Sequence, residues 1–133
     1  MNKRSTLITS IRPTLNIIPS DDVESEIHFQ NEILRPVLKL QNDLFIEVMR
    51  HYFFKHKNTF YTLSLEKRLS FIENAIQKDV KFRNSLKGMI IGQFSVEEYA
   101  LYQKNASKLN KRMMKMLIQR YHSQIQLFEK PLS

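Results

Sequence analysis

At 133 residues and 42% hydrophobic content, the chain has the size of one domain and enough apolar material for a single core. Two glycines and four prolines are too few for a β-rich fold held by tight turns, and the lack of cysteine removes disulfides, thiolate chemistry and sulfur-ligated zinc. The net charge of +8 builds along the chain, from −1 over residues 1–31 to +4 over residues 93–133, which favours anionic partners.

The basic opening Met1-Asn2-Lys3-Arg4 precedes no apolar run of signal-peptide length. No stretch of 18 apolar residues would span a membrane, so the expected location is cytoplasmic. Residues 1–31 read as an N-terminal arm and linker, and 32–133 as a helical bundle domain. In the arm, Leu7, Ile8 and Ile11 suit one short amphipathic turn before Pro13. Pro19-Ser20-Asp21-Asp22 reads as a break, within an acidic patch of Asp21, Asp22, Glu24 and Glu26.

A first long helix is expected from Asn31 or Arg35 to Lys55, with Pro36 in its first turn, where the missing N–H costs nothing. Leu40, Leu44, Val48 and His51/Tyr52 keep helical spacing and form its expected core stripe, widened by Val37, Phe45 and Met49. His56-Lys57-Asn58 ends it with cations and a turn former. A second helix follows over Ser64–Lys78, with Leu65, Leu69, Ile72 and Ile76 inward. Asp79 then caps a third, running to Ile91 before Gly92, with Phe82, Leu86, Met89 and Ile90 inward.

Ser95-Val96-Glu97-Glu98 is a capping box, in which serine and glutamate satisfy each other's orphan amides at a helix start. From Val96 no Gly or Pro intervenes until Pro131. Tyr102, Ala106, Leu109, Met113 and Met116 form a bundle seam that drifts to Leu117, Tyr121, Ile125 and Phe128. A straight helix to Phe128 would run about 50 Å, against a radius of gyration of about 14 Å for such a domain. It must bend, break near Asn105-Ala106-Ser107, or project past the bundle. The expected fold is therefore all-α: a four-helix bundle-like single domain with a less regular N-terminal arm and a long C-terminal helix.

Chemistry-bearing patterns are sparse. The histidines His28, His51, His56 and His122 lack the repeated Glu-x-x-His of a di-iron bundle, and Glu47 with His51 suits a helical pair. The serines fall at caps and helix surfaces, and Gly88-Met89-Ile90-Ile91-Gly92 lacks the Lys-Ser/Thr of a phosphate loop. No metal or cofactor is expected. Lys104, Lys108, Lys111, Arg112 and Lys115 make a basic stripe opposite the apolar seam, and Lys78, Lys81, Arg83 and Lys87 cluster on the third helix. A polar group of Asn42, Asp43, Lys78 and Arg83 flanks the apolar stripes and would converge if an enclosed pocket forms there.

Asn84-Ser85-Leu86-Lys87-Gly88 resembles the His-x-Leu-Lys-Gly motif of histidine-phosphotransfer domains, with Asn84 in place of the phosphoryl-accepting histidine. That five-residue resemblance implies docking to a receiver without carrying phosphate. More broadly, Leu34-Arg35-Pro36-Val37-Leu38-Lys39-Leu40-Gln41-Asn42-Asp43, Ile76-Gln77-Lys78-Asp79-Val80-Lys81-Phe82-Arg83-Asn84 and Leu109-Asn110-Lys111-Arg112-Met113-Met114 resemble a family of small helical proteins from marine flavobacteria and related Bacteroidetes. The resemblance covers about residues 30–128. Members often carry a glyoxalase label, which implies lactoylglutathione-type chemistry and assigns no residue of this chain.

The composition and charge layout favour non-enzymatic association, with an acidic protein or with a second copy through the apolar end of the last helix. Nucleic-acid binding through the basic stripe is a further option, as is an enzyme under the glyoxalase label.

Overall fold

The structure is a computed structural model and describes residues 2–13, 15 and 25–129. The regular structure of the described residues is all helical, without a strand. Helix α1 spans Lys3–Ser10, α2 Glu26–Phe29, α3 Arg35–Leu40, α4 Asn42–Lys55, α5 Leu65–Lys78, α6 Val80–Ile91, α7 Val96–Lys104 and α8 Ala106–Ser123. A π-helical turn, Gln30–Leu34, joins α2 to α3, and short 3₁₀ turns cover Thr59–Thr62 and Ile125–Leu127. Helix α8 lies at the centre, packed on α5, α6, α7 and the π-helical turn.

Five helix starts are set by their own sequence, the first by Asn2, whose side chain accepts the Ser5 N–H at the head of α1. Ser64, Asp79 and Ser95 accept the backbone N–H groups of Lys67, Phe82 and Glu98. At Ser95 the reciprocal bond from Ser95 N–H to Glu98 Oε1 completes the expected capping box. Ser25 caps α2 in the same way through His28 N–H, a start that lies ahead of the expected onset at Asn31 or Arg35. Pro36 does sit in the first turn of α3. The chain before it is already helical, because the turn widens: Arg35 N–H reaches back five residues to the Gln30 carbonyl. Pro36 has no N–H to continue the regular ladder, and this wider turn accommodates it.

The expected stripe of the first long helix is displaced. Gln41 leaves helical geometry at φ −87° and ψ 1°, dividing the helix into α3 and α4. That break rotates α4 so that Phe45, Ile46, Met49 and Phe53 are buried, whereas Leu44 is 49% exposed and His51 is exposed. On α5, Ile72 and Ile76 are fully buried as expected and Leu65 faces out. Gly92 closes α6 at φ −60°, a right-handed conformation, so it is not a left-handed terminator. A Cβ there would meet the Gly88 carbonyl oxygen at 3.1 Å.

The last long helix does break near Asn105, which adopts φ −137° and ψ 36° between α7 and α8. Helix α8 stops at Ser123, and the chain turns back so that Tyr121 and Phe128 are buried. No long apolar end projects from the described residues. Phe128 instead closes an aromatic cluster whose centre is the stacked pair Phe53–Phe60, 3.8 Å between ring centroids. Tyr121 packs there too and donates its hydroxyl to the Phe45 carbonyl at 2.7 Å. Burial raises the Tyr121 pKa and keeps the hydroxyl protonated as a donor.

The described residues of the arm include helix α1, and polar contacts hold it against the α6–α7 turn. Leu7 and Ile11 are 57% and 59% exposed. Arg4 donates to the carbonyls of Phe94 and Gly92, and buried Ser5 accepts the Val96 N–H. Arg12 forms a two-pronged pair with Glu98 at 2.5 Å and also reaches the Gln93 carbonyl. The expected break at Pro19–Asp22, and Asp21, Asp22 and Glu24 of the acidic patch, lie outside the described residues.

Candidate functional site

Helix α8 presents its basic residues to solvent because its apolar positions all face the core. Leu109, Met113, Met114, Leu117, Ile118 and Tyr121 are buried, leaving Lys108, Lys111, Arg112 and Lys115 exposed on the opposite side. Lys104 is exposed one turn upstream, at the end of α7. The sequence-expected stripe is thus a real face, although the Asn105 break divides it between two helices.

A groove of about 720 Å³ runs along one flank of this face, between α8 and the α5–α6 hairpin. Arg83 and Lys87 of α6 and Lys111 and Lys115 of α8 supply its cations, and Glu73 supplies a carboxylate. Met114 and Ile118, both nearly buried, contribute apolar surface to its lining. Two contacts fix the walls. Arg83 Nη1 donates to the Gln77 carbonyl at 2.9 Å, tying α6 to the last turn of α5. His122 Nε2 lies 2.9 Å from the Leu69 carbonyl oxygen, so that nitrogen carries the proton and links α8 to α5.

On the other flank a smaller groove of about 260 Å³ lies between α3 and the second half of α8. It is bordered by Arg35, Lys39, Arg112, Lys115 and Arg120, with no carboxylate among its described lining residues. Both outer arginines are held by asparagine. Arg35 Nε donates to Asn31 Oδ1 at 2.9 Å, and Arg120 Nε to Asn42 Oδ1 at 2.8 Å. Asn42 and Gln124 also exchange a pair of amide hydrogen bonds, each 2.8 Å. Arg120 is half-buried, and the loss of water pulls its pKa down. Lys115 borders both grooves.

Among the described residues, Lys87, Lys111, Arg112 and Lys115 pair with no carboxylate, whereas Lys108 lies 3.7 Å from Glu26. The expected polar group of Asn42, Asp43, Lys78 and Arg83 divides. Asn42 belongs to the Arg120–Gln124 network, Arg83 belongs to the larger groove, and Asp43 and Lys78 are exposed. Asn84 and Ser85 of the phosphotransfer-like motif are exposed on α6, Leu86 is buried, and Lys87 lines the larger groove.

Arg35, Lys39 and Arg120 were not singled out by the sequence reading. Arg35 and Arg120 lie far apart in the chain, and only the packing of α8 on the π-helical turn explains why both border one groove. Their one local signal is an asparagine four residues before Arg35, at helical spacing for a side-chain hydrogen bond.

Among the described residues no three His, Asp or Glu side chains cluster closely enough to hold a metal ion, and no helix is long and apolar enough to cross a membrane. No protein-family model matches the chain, and neither the curated proteins nor the solved structures compared with it give a match.

Proposed function

We propose that this chain is a non-enzymatic interaction module that docks an acidic partner protein on the basic face of α8, seating an amphipathic acidic segment in the α5–α6–α8 groove. The supporting observation is the make-up of the lining: four cations, Arg83, Lys87, Lys111 and Lys115, against one carboxylate, Glu73, share the groove with the apolar Met114 and Ile118. Cations held along the edges draw in and orient carboxylates. The apolar part accepts a stripe of hydrophobic side chains in the manner of helix-in-groove recognition, and methionine adapts to whatever shape arrives.

A nucleic acid fits this groove less well. Sequence-tolerant binding of single strands relies on aromatic rings for base stacking, and among the described lining residues there is no Phe, Tyr or Trp, the His122 ring being tied by Nε2 to the Leu69 carbonyl.

Fluorescence anisotropy on the full chain tests the reading with three labelled probes: an amphipathic helical peptide with a glutamate face and a leucine stripe, a scrambled peptide of the same composition, and oligo(dT). The amphipathic peptide is expected to bind most tightly and to be lost in the Lys111→Glu/Lys115→Glu variant. Equal binding of both peptides, tighter binding of oligo(dT), or no binding at all would reject it.

A further inference from the structure

We propose that the smaller groove between α3 and the second half of α8 is a separate binding site for a phosphorylated small molecule, gripped between Arg35 and Arg120 with Lys39, Arg112 and Lys115 around it. The inference rests on Arg35, Lys39 and Arg120, which the partner groove on the other flank of α8 does not contain, although Lys115 borders both. It starts from an imbalance: five cationic side chains border about 260 Å³ with no carboxylate among the described lining residues. Like charges gathered around one concavity repel, and a compact anion entering it relieves that repulsion from several sides at once.

The arginines are also arranged for the task. Each guanidinium uses its Nε–H on an asparagine oxygen, Asn31 for Arg35 and Asn42 for Arg120. The Nη groups of both make no hydrogen bond among the described residues. A guanidinium fixed at Nε and free at Nη presents the paired N–H edge that matches two oxygens of a phosphate. Asn42 is itself held by Gln124, so the Arg120 side chain loses little further freedom when an anion arrives.

Size selects the ligand class. A void of this volume admits one or two phosphate groups with a small organic body, whereas a duplex would span the whole face. Leu38 and Met116 add apolar lining against which such a body rests.

Isothermal calorimetry of the full chain with inorganic pyrophosphate, at physiological ionic strength, is the test. Inorganic phosphate, sulfate and oligo(dT) serve as comparators. One saturable site is expected, with pyrophosphate preferred to sulfate and phosphate. Arg35→Gln and Arg120→Gln should each weaken it by about tenfold, the loss of a charge-assisted hydrogen-bonded contact. Lys87→Gln, on the partner groove, should leave pyrophosphate affinity within about twofold. Arg35 is exposed, so its variant reports on binding even if Arg120→Gln proves less stable. Absence of a saturable site, an unchanged affinity in Arg35→Gln, equal weakening by Lys87→Gln, or preference for oligo(dT) would each overturn the proposal. Acidic-peptide binding that survives in Arg35→Gln would leave the partner groove standing on its own.

Discussion

At the arm junction Arg12 gives both Nη groups to Glu98 and Gln93, whereas across the α8 face Lys111, Arg112 and Lys115 pair with no carboxylate among the described residues. The difference lies in pairing: among the described residues the Arg12 Nη groups have acceptors, although its buried Nε has no hydrogen-bond partner, and those three α8 cations have no carboxylate beside them. The Arg12 and Glu98 side chains retain 8% and 15% of their exposure, and at that depth an unpaired charge is costly. The α8 cations stand in water, where remaining unpaired costs little. One set of charges therefore holds the fold together, and the other is left available for something else.

The sharpest way to break this contrast is to remove Arg12. Arg12→Ala leaves the Gln93 carbonyl without that donor, leaves Glu98 Oε1 with the Ser95 N–H but no cation beside it, and removes one of the arm's ties to the α6–α7 turn while those of Arg4 and Ser5 remain. A loss of about 3 kcal/mol is expected in denaturant unfolding, with peptide binding to the α8 groove unchanged. If binding falls in step with stability, the two regions are not separable.

A smaller loss is expected at Asp79, which caps α6 through Phe82 N–H and accepts the Tyr52 hydroxyl at 3.0 Å. Asp79→Ala should cost about 1–2 kcal/mol. The Phe82 amide first, and then the Tyr52 hydroxyl, hold its carboxyl below the usual 3.8. Its folded pKa thus lies below the unfolded one. The stabilisation is complete above the unfolded value and disappears as pH falls through the folded value. Asp79→Asn keeps an N-cap and removes this titration, so its unfolding midpoint should fall less steeply below pH 3.8 than that of the unaltered chain. The same bond opposes ionisation of Tyr52, whose pKa is pushed up to about 12 by burial and by Asp79. Alkaline absorbance titration of the Tyr52→Phe variant should lose that late-ionising tyrosine.

These two structural charges differ in how visible they were from the sequence. Asp79, Ser64 and Ser95 precede helical runs, and caps act over three residues, so local pattern sufficed to place them. The Asn105 break was likewise foreshadowed, because a straight helix more than about three times the domain's radius of gyration must bend, break or project. The α4 stripe was not, since a single non-helical residue at Gln41 shifts the phase of everything after it. Nor was the Arg12–Glu98 pair, which joins residues far apart in the chain. The basic stripe was legible at helical spacing, yet its division into two grooves depends on what α8 packs against. Arg120 borders a groove only because α3 and the π-helical turn stand beside it.

Reversing charge on the exposed face should leave stability almost untouched. Lys111→Glu/Lys115→Glu is expected to change unfolding free energy by no more than about 0.5 kcal/mol. Any change should be toward greater stability, because it relieves repulsion among Lys111, Arg112 and Lys115. Thermal melts at low and high salt check the cause: a gain that fades as salt screens the charges is electrostatic. A marked destabilisation would mean that these lysines hold the fold after all.

The smallest effect belongs to Lys108, whose Nζ lies 3.7 Å from Glu26 Oε1, with both side chains substantially exposed. It has a carboxylate beside it, so it tests whether a nearby acid makes a cation structural. Surface pairs of this kind contribute well under about 1 kcal/mol, because water and salt screen them. Lys108→Gln should therefore shift the melting temperature by an amount close to experimental error. Arg12 and Lys108 would then show that a carboxylate beside a cation does not by itself make it structural: the Arg12 pair is buried and two-pronged at 2.5 Å, and the Lys108 contact is exposed and single at 3.7 Å. A melting-temperature loss approaching that of Arg12→Ala would contradict that distinction.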